Sequence, residues 1–224
     1  MRAIPKTAAV RPLRDPPPRR VHSQCDGRHA PPWPTGQRHS QGAQPVRSQP
    51  DTTLLAVIDI QERLARVVPG CDAIVERAVR LARAADILGV RRGLTEQYPQ
   101  GLGPTVSSVA ACMPPAEEKL AFSAAGCGCL SVCPGDGVTA VVLAGLETHI
   151  CILQTALDLL GRGLVVFVAV DAVASRSAID HETALRRLEF SGAVLTTSES
   201  LLFEWCRGAD HDRFREVRSL VTGG

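Results

Sequence analysis

A short aliphatic run, Val141-Val142-Leu143-Ala144, stops at Gly145 and gives way within five residues to Ile150, Leu153, Leu157 and Leu160 at helical spacing. An uninterrupted β-branched and aliphatic run suits a parallel strand buried on both faces. The following stripe suits an amphipathic helix, with Thr148 as its candidate N-cap and Gly161 or Gly163 as its stop. A strand that feeds directly into a helix places their junction at the carboxyl edge of a sheet, where open α/β proteins bind ligands. Cys151 stands at that junction, where the positive end of the helix dipole would favour a thiolate. Free cysteine is also among the most buried residue types, so position alone leaves a structural thiol as an equal reading.

The rest of the chain after residue 50 alternates in the same way. Leu54-Leu55-Ala56-Val57-Ile58 predicts a first strand that delivers Asp59 at its carboxyl end, and Ile74, Ala78, Leu81, Ala85 and Leu88 predict a helix. A poor strand near Leu94 and a weaker one at Lys119 follow. After the Cys151 helix come a strand over 164–170, a helix over 180–190, a strand over 193–196 and a last helix from Ser198. Such alternation argues for a three-layer α/β/α, Rossmann-like domain with a parallel sheet of about six strands. Some 170 residues suffice for one core of this kind. The second strand breaks the pattern, because Arg91, Arg92 and Gly93 stand where a buried parallel strand should be apolar.

Asp59, Lys119 and Cys151 therefore each fall at the end of a separate strand. Singly, an Asp after a strand is usually a turn residue and a Lys is usually solvated. Together they offer a base, a cation and a thiol that can converge on one crevice.

The motifs around these three residues, Val57-Ile58-Asp59-Ile60-Gln61, Lys119-Leu120-Ala121-Phe122-Ser123 and Gly145-Leu146-Glu147-Thr148-His149-Ile150-Cys151, resemble those of the isochorismatase-like cysteine hydrolases. Thr95-Glu96-Gln97-Tyr98-Pro99-Gln100-Gly101, Asp171-Ala172-Val173-Ala174-Ser175-Arg176-Ser177 and Thr196-Thr197-Ser198-Glu199-Ser200 extend the resemblance, which spans roughly residues 51–221 and is strongest to the isochorismatase domain-containing proteins. It implies that Asp59 is the general base, Lys119 the cation that keeps Asp59 ionised and favours the thiolate, and Cys151 the nucleophile. It also implies an oxyanion hole made by the backbone N–H groups of Glu147 and Cys151, with a cis peptide between Leu146 and Glu147. The reaction implied is hydrolysis of a small amide, imide or related carbonyl compound through a thioester. Cleavage of a vinyl ether such as isochorismate would not call for a thiol.

Some relatives carry an Asp-x-His metal motif after the second strand. Here that stretch reads Thr95-Glu96-Gln97-Tyr98-Pro99, so no metal and no cofactor is expected. Gln61, Gln97 and Tyr98 are expected near the mouth of the crevice. His149 is expected in the pocket wall or at the surface, because neighbours at a helix start point apart. Ser175, Arg176 and Ser177 read equally as a turn or as a substrate contact. The segment Asp210-His211-Asp212-Arg213-Phe214 is expected to dock and to support self-association, making a homo-oligomer.

Residues 1–50 differ in kind. Ten of the 16 prolines fall there, and nine basic residues against Asp15 and Asp26 leave the segment at +7 and the remainder, from a total of +2, at −5. A segment so rich in proline and arginine offers no core, which predicts a disordered extension and a hydrolase domain over 51–224. A mitochondrial transit role is the lesser alternative, because the prolines would break an amphipathic helix. The acidic remainder has no nucleic-acid footprint, and no apolar run reaches membrane-spanning length. Eight cysteines without a secretory signal suit a reducing compartment, so a cytoplasmic protein is expected. Cys127, Cys129 and Cys133 lack the spacing of a zinc site, and no C-x-x-C supports a redox role. A catalytically quiet binding or scaffolding protein stands as the alternative to the hydrolase.

Overall fold

A computed structural model of the chain describes residues 47–131 and 137–223. The extension expected over residues 1–50 lies outside the described residues as far as residue 46, as do Cys25 and Cys133. Its last four residues, however, belong to the domain. Ser48 is buried, its backbone N–H donates to Glu204 (2.9 Å), and its hydroxyl accepts from Trp205 Nε1 (2.7 Å). Trp205 is itself buried, and an indole N–H taken out of water needs an acceptor. A serine supplies one, so the packed domain begins before Asp51.

Six parallel strands form one sheet in the order β3-β2-β1-β4-β5-β6: β1 (Thr53–Ile58), β2 (Arg91–Gln97), β3 (Glu117–Lys119), β4 (Ala140–Leu146), β5 (Val165–Ala174) and β6 (Val194–Thr196). The helices are α1 (Glu62–Ala65), α2 (Cys71–Ile87), α3 (Pro99–Leu102), α4 (Ser107–Ala110), α5 (Leu153–Gly161), α6 (Ala178–Phe190), α7 (Ser198–Cys206) and α8 (Phe214–Thr222). None of the described helices is long and apolar enough to cross a membrane. The chain winds outward through β2 and β3 on one side of β1, then returns to β4 and winds out the other way. The reversal between β1 and β4 opens a crevice at the strands' carboxyl ends.

Alternation along the two central strands separates the core into two layers. Leu55, Val57, Val142 and Ala144 face α2 and α7, whose Leu81, Ala85, Leu202 and Trp205 cover them. Leu54, Ala56, Ile58, Val141 and Leu143 face the other way, toward Ala156 and Leu159 of α5 and Leu188 of α6. Every residue of β1 and β4 is buried, as their apolar runs require. Beyond α7, where the pattern had suggested the end of helical structure, α8 docks through the buried Val217.

Two glycines show why close contacts overrode side-chain preference. A Cβ on Gly93 would lie 2.7 Å from the carbonyl oxygen of Cys129, so the glycine that spoils the β2 pattern admits the turn over 127–130 against the strand. Arg91 is exposed at the start of β2, and Arg92 donates to the Cys112 carbonyl (3.0 Å) and to Asp86 (2.5 Å). Gly145 is tighter still. It has φ 131°, and a Cβ there would sit 2.0 Å from Ile58 O, at an irregularity in the pairing of β4 with β5.

That irregularity lets β5 continue past Asp171, where a strand end was expected, so that Val173 and Ala174 pair with Gly145 and Leu146. The Asp171 side chain instead accepts from the Ser198 N–H (2.7 Å) and hydroxyl (2.6 Å), fixing the start of α7.

Candidate active site

Asp59 follows β1 directly and is fully buried in the left-handed region, with φ 53°. Aspartate tolerates that conformation better than most residues. Oδ1 accepts from the Thr95 hydroxyl (2.8 Å) and Oδ2 from Lys119 Nζ (2.6 Å). The charge of this carboxylate also acts on the buried Cys151 thiol, raising it. Side chains from β2 and β3 thus meet on one carboxylate at the end of β1.

Lys119 lies on the short edge strand β3, yet its side chain is only 4% exposed. Besides Asp59, its ammonium donates to Gln97 Oε1 (2.8 Å) and to the carbonyls of Ala121 (3.2 Å) and Phe122 (3.1 Å). Three N–H bonds shared among four acceptors leave the ammonium saturated. It therefore acts on the thiol through Asp59 and through its charge.

Cys151 departs from the expected helix-start thiolate. Residues Thr148–Ile152 form one π-helical turn ahead of α5, preceded by Glu147, and no side chain caps it. Thr148 lies inside this turn, and its hydroxyl pairs with His181 Nδ1 (2.9 Å) rather than with the helix end. The Cys151 thiol is pushed up to about 12, first by burial and next by the Asp59 charge. The Lys119 charge pulls the other way and is outweighed. A thiol so raised is protonated at neutral pH and is not a preformed thiolate. Burial is the larger cause, and the Asp59 charge then outweighs that of the Lys119 ammonium.

The Leu146–Glu147 peptide is cis, as the resemblance implied. The remaining expected residues divide. Gln61 does not line the crevice mouth but is fully buried. Its Oε1 accepts from the Gln97 N–H (2.9 Å), and its Nε2 donates to the carbonyls of Gln97 (3.1 Å) and Gly103 (2.6 Å). The side-chain amide so completes a backbone ladder that the sheet leaves open there. Gln97 orients Lys119 and donates to Leu120 O (2.8 Å). Tyr98, half exposed with φ 38°, lines a cavity of about 460 Å³ together with Pro99, Gln100, Glu118, Lys119 and Leu120. His149 is half-buried, and its Nδ1 pairs with Ser175 Oγ (2.9 Å).

Sequence reasoning passed over Thr95 and left Arg176 undecided. Thr95 stands opposite Ile58 in the β1–β2 register, one step from Asp59, and that proximity exists only once the two strands are paired. Arg176 donates from its backbone N–H (3.0 Å) and from Nε (2.9 Å) to Glu147 Oε1. Among the described residues no group of three or more His, Cys, Asp or Glu side chains could hold a metal ion. Cys127 precedes and Cys129 lies within a short turn whose N–H groups at 128 and 129 are held by the Glu117 carboxylate (2.8 and 2.7 Å).

The family model of the isochorismatase domain matches residues 53–200. Isochorismatase domain-containing protein 2 of Bos taurus is 45% identical over 175 residues, covering 78% of this chain and 85% of that protein. Among solved structures, the MAR1 ribonuclease from Caenorhabditis elegans superposes with a TM-score of 0.73 at 39% identity, over 79% of this chain and 93% of that one. YcaC from Pseudomonas aeruginosa shares the fold, with a TM-score of 0.73 at 21% identity over 81% of this chain and 93% of that one.

Proposed function

We propose that this chain, which belongs to the isochorismatase domain family, hydrolyses a small amide, imide or related carbonyl compound with Cys151 as nucleophile and Asp59 as base. The observation that carries this reading is the buried Lys119–Asp59 pair (2.6 Å), both of whose charges act on the buried Cys151 thiol. A buried ion pair is poor evidence for stability in itself, whereas a nucleophile, a base and an orienting cation grouped at one buried site are what acyl transfer uses.

In the first step Sγ bonds to the carbonyl carbon as its proton passes to Asp59. The tetrahedral oxyanion is held by the N–H groups of Glu147 and Cys151. The C–N bond then breaks, Asp59 returns the proton to the leaving amine, and a thioester remains. Water attacks that thioester while Asp59 takes its proton; the acid departs and the proton returns to sulfur. Because the resting thiol titrates near 12, attack is coupled to proton transfer rather than drawn from a standing thiolate. Lys119 holds and orients the Asp59 carboxylate (2.6 Å). The substrate enters as a small molecule, and no metal or cofactor takes part in these steps.

The test is a panel of small amides and imides, with intact-protein mass spectrometry for the acyl adduct. Turnover and an adduct on Cys151 are expected, and Cys151→Ser should lower turnover by about a thousandfold or more while leaving the fold intact. Binding without turnover, unchanged by Cys151→Ser, would support a quiet binding protein instead. Single-stranded RNA belongs in the panel because of the name of the C. elegans protein. No cleavage is expected from a domain whose residues 51–224 carry −5, since like charge opposes binding of a polyanion.

A further inference from the structure

Three consecutive residues at the start of the nucleophile's turn are each tied to the segment that follows β5. Glu147 Oε1 accepts from Arg176 N (3.0 Å) and Nε (2.9 Å), Thr148 Oγ1 pairs with His181 Nδ1 (2.9 Å), and His149 Nδ1 pairs with Ser175 Oγ (2.9 Å). The register explains the meeting: Leu146 pairs with Ala174, so the strands stay side by side until Glu147 and Ser175 leave the sheet together. Ser177 then starts α6 as its N-cap, which fixes Arg176 between a strand end and a helix start.

Glu147 is unusual among these residues because its side chain is 5% exposed while that of Arg176 is 56% exposed. A carboxylate withdrawn from water needs charge-assisted donors, and here one arginine supplies two at the same oxygen. The backbone of the same glutamate is tied to the nucleophile's turn, its carbonyl accepting from the N–H groups of Ile150 (3.1 Å) and Ile152 (3.2 Å) on either side of Cys151. Side chain and amide belong to one residue, so holding the first restrains the second. None of these contacts brings Arg176 to the thiol, the carboxylate of Asp59 or the lysine.

We propose that Arg176 is a positioning residue for acyl transfer at Cys151: it holds the buried Glu147 carboxylate and thereby fixes the Glu147 N–H where negative charge develops on the substrate oxygen. This rests on the cysteine-hydrolase reading and assigns to that site a control lying outside it. A donor displaced by an ångström loses much of its value to a transition state while leaving the nucleophile untouched.

Two reactions of Cys151 separate these effects. With p-nitrophenyl acetate, Sγ bonds to the acyl carbon, the thiol proton goes to Asp59, an oxyanion forms, and p-nitrophenolate leaves. With iodoacetamide, Sγ displaces iodide from carbon, the proton goes to the same base, and no oxyanion forms. Both rates are measured on the full chain as wild type, Arg176→Met and Arg176→Lys, with thermal unfolding of each. Arg176→Met is expected to slow acylation by about ten- to a hundredfold while alkylation stays within about threefold of wild type. Arg176→Lys, which keeps the charge, should recover part of the loss, and it carries the comparison if the methionine variant does not fold. Acylation unchanged in Arg176→Met overturns the proposal, and so does alkylation falling in parallel. A wild type that alkylates at Cys151 but is acylated no faster than Cys151→Ser overturns the hydrolase reading itself, and the positioning role with it.

Discussion

On the β4 side of the crevice every residue from Ala140 to Leu146 is buried, whereas on the β3 side only Lys119 of the Glu117–Lys119 strand is. Cys151 is delivered by a central strand packed on both faces, and its position follows from apolar burial and from the backbone approach at Gly145. Lys119 is delivered by a three-residue edge strand with no apolar residue in it. What holds that strand is a set of polar clamps: Gln61 on the Gln97 backbone, Gln97 on Lys119 and Leu120, and Glu117 on the turn at 128 and 129. Similarly, Glu96 Oε1 accepts from the Thr105 N–H (2.6 Å) and hydroxyl (2.7 Å), closing the loop beyond β2. One crevice is thus built by close packing on one wall and by hydrogen bonding on the other. Failure of the first should unfold the protein, and failure of the second should loosen the site.

The largest effect is expected at the packed wall. Gly145→Ala places a Cβ 2.0 Å from Ile58 O on a residue with φ 131°, which backbone must move to relieve. A loss of about 4 kcal/mol or more is expected in urea denaturation. A near-wild-type midpoint would show that β1 and β4 can separate, and the contrast between the walls would then be false.

Next comes the pair that bridges the walls. Lys119→Met strands the Asp59 carboxylate in the interior without its cation, at a cost of about 3–5 kcal/mol. Adding Asp59→Asn removes the orphaned charge, so the double variant should be more stable than the sum of the single losses. Strict additivity in that cycle would show that the two groups do not share one site.

A smaller effect belongs to the clamped wall alone. Gln61→Leu keeps volume but leaves the Gln97 N–H and two carbonyls without their buried partner, which is expected to cost about 2 kcal/mol. Hydrogen exchange should accelerate at the Gln97 amide and stay unchanged within β4. Equal acceleration in both strands would mean that the walls are not independent.

The smallest expected effect is a pH slope. All six described cysteines are raised by burial from an ordinary value of 9.0, Cys129 and Cys151 to about 12. Between about 9 and 12 the unfolded chain loses thiol protons that the folded chain keeps. The unfolded state therefore binds fewer protons, and stability falls as pH rises through that window. Unfolding midpoints from pH 8 to 10.5 should decline, and Cys151→Ser and Cys129→Ser should each flatten the decline. Alkylation of Cys151 should likewise still be rising at pH 10; a plateau below pH 8 would mean a preformed thiolate after all.

The packed wall is the part that the amino-acid sequence determined. Apolar runs at β1 and β4 fall where strands must be buried on both faces, and the helical stripe after Cys151 has one face to bury, so the parallel sheet and the carboxyl-edge position of Asp59 and Cys151 follow from period and composition. The family motifs carried Lys119, Glu147 and the cis peptide, none of which periodicity shows. Residues such as Arg91, Arg92 and Gly93 misled for a local reason, since their partners Asp86, Cys112 and Cys129 approach only in the folded chain.

Tertiary structure alone decided how the polar residues are used. Gln61 became a backbone clamp because the loop carrying Gly103 folds over it, and Thr95 became a ligand of Asp59 because β2 pairs with β1 in that register. Ser48 joined the domain because Trp205 needed an acceptor. The protonation of Cys151 was reversed in the same way: a helix start argues for a thiolate, but burial and an adjacent carboxylate are properties of the packed site. Hydrophobic patterning is periodic and can be read along the chain, whereas hydrogen bonds and charge effects depend on distances between residues far apart in sequence, which only the folded chain defines.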